Sequence, residues 1–251
     1  FLRHGSILSI SEILLSFVKK SITIDDHILN KISIIPSEIN RLRLYRGKGS
    51  EFLRIGVCKL IETIAICHIP ILQINDSTVN TTTSSFNTTS RFPNDNTAPF
   101  GKKLFINLLE TLLENMKQPF DSIQLSAQSA LRQFLYTYIY NKSSSIYNNY
   151  NNKEKLKLYD MLTTKFTNSL INDNNVAVTR GSALGLASLP INLLNQLNTN
   201  EFNDNIINNI INITKLDRLI GGEIDPETRR NAIESSIEII EKLLHYNQFY
   251  S

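Results

Sequence analysis

The stretch RHGSILSISEILL, residues 3–15, carries the pattern that decides the fold. In the window 6–20, Ile7, Ile10, Leu14 and Phe17 stand three and four residues apart, the spacing that lines one face of an α-helix. The same register returns further along. With Arg3, Arg54, Ala127, Arg180 and Arg229 aligned, the residue three positions on is Ser6, Val57, Ala130, Ala183 or Ala232, small or β-branched every time. The residue four positions on is Ile7, Cys58, Leu131, Leu184 or Ile233, always apolar. The steps are 51, 73, 53 and 49 residues. A helix-pair period of this length marks an all-α, HEAT- or armadillo-like α-solenoid of stacked helix pairs.

The pattern has a physical reason. The second helix of each pair packs inside the stack, where small side chains let neighbouring helices approach. An arginine one turn earlier reaches the turn of an adjoining repeat. Arg3, Arg54, Arg180 and Arg229, with Ala130, Ala183 and Ala232, are therefore the expected stacking residues. Residues 3–15 then read as an inner helix lacking its outer partner, so the chain is expected to be a segment of a longer polypeptide that begins within an array. The alternative is an irregular helical bundle in which a degenerate alignment arises partly by coincidence.

Composition narrows the classes. The chain has 251 residues, enough for a substantial core. Hydrophobic residues make up 41%, which excludes wholesale disorder. Only 9 Gly and 7 Pro argue against a turn-rich all-β sandwich. A net charge of +3, from 26 basic and 23 acidic residues, is too balanced to imply nucleic acid. Cys58 and Cys67 make no disulfide framework and suit a reducing compartment. No apolar run approaches the roughly 18 residues of a membrane span, and there is no signal peptide to read. Sequons at Asn75, Asn80, Asn87, Asn141 and Asn212 are read as products of an Asn- and Thr-rich composition rather than as glycan sites.

Helical periodicity continues over 24–44, with Pro36 an expected break or kink, and over 51–68, ending at Pro70. Residues 102–118 close at Pro119, and Asp121 is an expected cap for the helix after it. Further helical stretches cover 153–171, 174–190, 202–216 and 221–248, the last with Asp225 as N-cap and Pro226 at its first position. The whole of 1–251 is expected to form one solenoid domain, interrupted by a disordered insertion at 75–99 and a polar loop at 142–152.

Catalytic and metal-binding patterns do not emerge. His4, His27, His68 and His245 are scattered without paired ligand spacing. Cys58 and Cys67 on one helix would stand about 13 Å apart along its axis, so buried structural thiols are the expected reading over zinc ligands. GKGS at 47–50 lacks the first Gly and the strand of a phosphate-binding loop and reads as a turn. No catalytic residue, cofactor or metal is expected. Residues 41–48, RLRLYRGK, stand out: Arg41, Arg43, Arg46 and Lys48 are read as standing without an acidic neighbour. They are candidates for docking an acidic protein surface or a phosphate backbone, or else a solvated helix end whose charges favour the C-terminal dipole. Tyr45 and Phe52 do not make a base-stacking platform, so nucleic acid is not the expected partner.

Particular wording adds to this. FLRHGSILSISEIL (1–14), YRGKGSEFLRIGVCKLIETIA (45–65) and VTRGSALGLASLP (178–190), followed by DPETRRNAIESSIEII (225–240), resemble the C-terminal region of the tubulin-specific chaperone D family, the tubulin-folding cofactors D. The most diagnostic pieces are Arg3-His4-Gly5-Ser6 and the Tyr45-Arg46-Gly47 block running into Arg54, Val57-Cys58 and Leu60-Ile61-Glu62. The last block is shared with HEAT repeats at large. The resemblance implies a non-catalytic, cytoplasmic, cytoskeleton-associated chaperone that binds β-tubulin and works with cofactors E and C in assembling the αβ-heterodimer. It further implies stimulation of GTP hydrolysis by tubulin and binding of an ARF-like small GTPase. The alternative is a generic HEAT-repeat scaffold, such as a transport or chromatin adaptor.

The insertion at 75–99 carries too little apolar surface to offset a backbone ordering cost of about 1–2 kcal/mol per residue. Replacing it with a short Gly/Ser linker should leave the thermal midpoint nearly unchanged. A large drop would show that the segment packs on the helices.

Overall fold

Apolar residues at helical spacing each need a neighbour to cover them, and the computed structural model shows how that need is met. It describes residues 2–47, 49–71, 100–140, 152–173 and 175–190, together with Arg230 and Glu234. Among them are seven α-helices: α1 (Leu2–Lys19), α2 (Asp26–Arg41), α3 (Ser50–Ile66), α4 (Phe100–Asn115), α5 (Asp121–Leu135), α6 (Asn152–Asn172) and α7 (Val176–Ser188). A π turn, Tyr136–Tyr140, prolongs α5. The described residues contain no strand.

The helices form two rows. In one, α1 packs on α3, α3 on α5 and α5 on α7. In the other, α2 packs on α4, while α6 lies against α7. This alternation of helix pairs is an α-solenoid. The aligned positions Arg3, Arg54, Ala127 and Arg180 lie on α1, α3, α5 and α7, all of one row. A continuous apolar core runs between the rows, from Ile7 and Leu14 through Ile61, Leu112, Leu131 and Phe134 to Leu186. At its centre Phe134 stacks on Phe105 and tilts against Tyr138, with ring centres 4.9 Å apart in both pairs, an arrangement that adds to simple burial.

Helix ends follow local chemistry. The Asp25 carboxylate accepts from the His27 N–H to start α2, and the Asn175 side chain accepts from the Ala177 N–H to start α7. The first three helices end alike. Ile22 N–H donates to the Phe17 carbonyl (2.9 Å), Leu44 N–H to Ile39 (3.1 Å) and Ile69 N–H to Ile64 (3.1 Å). Each is the six-residue closure of a Schellman motif, with an apolar residue just beyond the turn. The turn residue is left-handed in all three, at Ser21 (φ 52°), Arg43 (φ 53°) and His68 (φ 52°). Glycine favours that conformation, and other residues pay roughly 1–2 kcal/mol for it.

Two expectations are corrected. Of the break or kink expected at Pro36, the break is corrected, since helix α2 runs through it to Arg41. Proline removes one backbone donor, yet Pro36 is buried together with Ser33 and Ile39, and that packing holds the turns on either side. Asp121 is not the cap of α5. Phe120 takes that position in an extended conformation without a side-chain cap, and Asp121 is the first helical residue. The expected insertion at 75–99, the cap at Asp225–Pro226 and the helices over 202–248, apart from Arg230 and Glu234, lie outside the described residues. So does the polar loop 142–152, except for Asn152, which opens α6.

Close approach is concentrated on α7. A Cβ added at Gly181 would stand 1.8 Å from the Met116 carbonyl oxygen at the end of α4, and one at Gly185 would stand 2.4 Å from the Phe166 ring of α6. At Gly5, in α1, an added Cβ would meet nothing within 4 Å. Gly181→Ala should therefore destabilise the protein by about 1–3 kcal/mol or more. Gly5→Ala should stabilise it by roughly 0.5–1 kcal/mol through helix propensity. Chemical denaturation of both variants checks the contrast.

Candidate functional site

The basic stretch of the sequence becomes the turn between α2 and α3. Arg41 lies in the last turn of α2, exposed, with its guanidinium on Glu38 at 2.6 Å. The expectation of a cluster free of acidic neighbours is thus corrected at its first member, because the carboxylate one helical turn back is in reach. That pair raises the Arg41 pKa, chiefly through the hydrogen bond to Glu38. Arg43 and Arg46 are exposed and, among the described residues, have no ion-pair or hydrogen-bonding side-chain partner. Lys48 lies outside the described residues.

Tyr45 anchors this turn. Its hydroxyl is buried, and the Arg54 guanidinium of α3 lies 4.2 Å above the ring centre, a cation–π contact. Burial pushes the Tyr45 hydroxyl above its ordinary pKa, with Arg54 opposing the shift. The other side of Arg54 donates to Asn115 Oδ1 at 2.7 Å, and the Asn115 amide donates to Cys58 Sγ at 3.2 Å. Burial raises the Cys58 thiol to about 12, so it stays protonated and unreactive at neutral pH. Arg54 therefore ties the α2–α3 turn to the end of α4.

Arg180 occupies the same register on α7 and makes a comparable tie. It is 6% exposed. Its Nε donates to Gln124 Oε1, one terminal nitrogen donates to the Pro119 carbonyl (2.7 Å), and Asp121 stands 3.7 Å away. Gln124, fully buried, in turn shares the two N–H groups of its amide among the carbonyls of Met116, Gln118 and Ala177. The displacement of Asp121 from capping is explained here, since its carboxylate is placed toward Arg180. Buried polar groups require such partners.

Of the other expected stacking residues, Ala130 and Ala183 are buried, at 0% and 4% exposure, and Arg3 is exposed. Arg229 and Ala232 lie outside the described residues. The structure brings Arg43 and Arg46 together on one turn, and places Arg54 and Arg180 at separate junctions. Sequence reasoning missed Tyr45, Asn115 and Gln124 as the partners that complete these junctions. For Asn115 and Gln124 the signal available was a polar residue standing beside apolar ones within a helical stretch, and for Tyr45, in a turn, there was none.

Among the described residues no group of three His, Cys, Asp or Glu side chains could hold a metal ion, and both cysteines are free thiols. A cleft between α4, α6 and α7, bordered by Met116, Phe166 and Gly181, has room for about one water molecule. No described helix is long and apolar enough to cross a membrane.

No family model matches this chain, and no solved structure matches it. Among curated proteins it is similar to tubulin-specific chaperone D of Dictyostelium discoideum, with 26% identity over 237 residues, covering 77% of this chain. The chain spans about 15% of the length of that relative.

Arg180→Ala leaves the Gln124 and Pro119 oxygens without their donor in a dry junction. It should cost about 2–4 kcal/mol. A double-mutant cycle with Gln124→Ala, read by urea denaturation, should show strong coupling between the two positions. Additive losses would mean that the two side chains act separately.

Proposed function

We propose that this chain is a helical-repeat segment of a tubulin-folding protein of the cofactor D kind, acting by binding rather than by catalysis. The similarity to tubulin-specific chaperone D carries the reading. The α-solenoid architecture supports it, because stacked helix pairs offer long curved surfaces to protein partners. In this reading the chain corresponds to the C-terminal region of the parent protein. It contributes to holding β-tubulin while cofactors E and C complete the αβ-heterodimer. Stimulation of GTP hydrolysis by tubulin follows from how the bound GTPase is held, with no catalytic side chain from this segment. An ARF-like small GTPase is the further proposed partner, and the setting is the cytoplasm and its microtubule cytoskeleton.

The test is direct binding. The 251-residue chain, mixed with purified β-tubulin, cofactor E or the ARF-like GTPase, should co-elute with at least one of them in gel filtration. A folded chain that binds none of the three overturns the reading. Selective capture of a transport or chromatin protein instead would point to a generic HEAT-repeat scaffold.

A further inference from the structure

We propose that the α2–α3 turn is a docking surface for an acidic segment of a partner protein, with Arg43 and Arg46 as its contact residues. The proposal rests on the binding role given above and adds where, and with what chemistry, one partner is held.

Three observations converge on this turn. The first is unused charge. Arg43 and Arg46 are exposed and have no partner among the described residues, whereas Arg41 is held by Glu38 and Arg54 by Asn115. The carboxylates nearest in sequence are engaged elsewhere: Glu38 takes Arg41, and Glu51 accepts from the Ser122 hydroxyl at 2.8 Å. The second is conformation. Arg43 holds the left-handed position that closes α2, at φ 53°. Ser21 and His68 hold the same position at the ends of α1 and α3, so the conformation does not itself mark a function; it fixes where the Arg43 side chain leaves the turn.

The third is rigidity. Leu44 N–H donates back to Ile39, Arg46 N–H to Arg43 and Ser50 N–H to Gly47, and the Tyr45 ring is clamped under Arg54. The two guanidiniums thus project from a turn that is already ordered, which lowers the entropy cost of binding. Leu42, 53% exposed, supplies an apolar contact beside them.

A carboxylate-bearing peptide satisfies this combination. Guanidinium forks pair with carboxylates in a bidentate geometry, and a peptide side chain can cover Leu42. Nucleic acid fits less well. Tyr45, the aromatic residue on the turn, is half-buried with Arg54 over one face, a poor platform for a base. The overall charge of +3 is small for a phosphate-backbone binder.

The experiment compares the 251-residue chain with its Arg43→Gly/Arg46→Gln variant. The probes are a fluorescent Glu- and Leu-containing peptide, the same peptide with Gln replacing Glu, a single-stranded RNA, and β-tubulin. The unaltered chain should bind the acidic peptide in a salt-sensitive manner and ignore its Gln counterpart. The variant should bind the acidic peptide about tenfold more weakly, the scale of two partly exposed charge-assisted pairs, and should melt at the same or a higher temperature. Equal binding by both chains, or arginine-dependent binding of the RNA alone, overturns the docking surface. If both chains bind β-tubulin equally and neither responds to the acidic peptide, this surface fails while the tubulin reading stands. If neither binds β-tubulin, cofactor E or the ARF-like GTPase but the peptide result holds, the tubulin reading fails and the surface stands.

Discussion

At Gly181 the backbone of α7 runs so close to the last turn of α4 that a methyl group would overlap the Met116 carbonyl. The geometry of this end of the stack follows from that contact. Because α7 lies this near, Arg180 on the adjacent residue reaches the Pro119 carbonyl and Gln124, and Gln124 reaches Ala177. Gly185, one turn on, lets α7 press against the Phe166 ring of α6 at the same time. The small residues of α7 make room, and the polar residues beside them fill it with directed bonds. Apolar packing sets how near the helices come, and the arginine network sets their register.

The two arginine junctions differ in how much water they exclude. Arg54 is half-buried, with one face on an aromatic ring and its nitrogen on an amide oxygen. Arg180 is nearly inaccessible and is surrounded by carbonyls, an amide and a carboxylate. Burying a cation is tolerable only where its donors are matched, and Arg180 is the better matched of the two. The contacts that fix each arginine to a distant turn are to uncharged oxygens, Asn115 for Arg54 and Gln124 and Pro119 for Arg180, with Asp121 3.7 Å from Arg180. These junctions therefore lock the packing of specific turns rather than add a large Coulombic stabilisation.

Much of the architecture was legible in the sequence. Apolar residues at three- and four-residue spacing placed each described helix to within a few residues, and the register shared by Arg3, Arg54, Ala127 and Arg180 fell on one row of helices. What was not legible depended on contacts distant in sequence. The fate of Asp121 turns on Arg180, 59 positions later (180 − 121), which a local capping rule cannot see. The continuity of α2 through Pro36 depends on packing that offsets a missing backbone bond. Arg41 looked unpaired only because the quoted window stopped short of Glu38. The role of Tyr45 was hidden for the same reason, since an aromatic in a turn reads as exposed until Arg54 is seen above it.

The π turn that prolongs α5 has a consequence for how the chain leaves α3. Tyr138 is fully buried, and its hydroxyl donates to the Ile69 carbonyl at 2.7 Å, while Thr137 donates to the Ala65 carbonyl at 3.1 Å. The Ala65 and Ile69 carbonyls, at and just beyond the end of α3, already accept local backbone N–H groups and here take a second donor from side chains of another helix, 72 and 69 positions away. The exit from α3 is therefore held twice, by its own Schellman closure at His68 and Ile69 and by side chains of its neighbour in the stack. The same bonds make the end of α3 and the end of α5 a single cooperative unit, which neither helix completes alone.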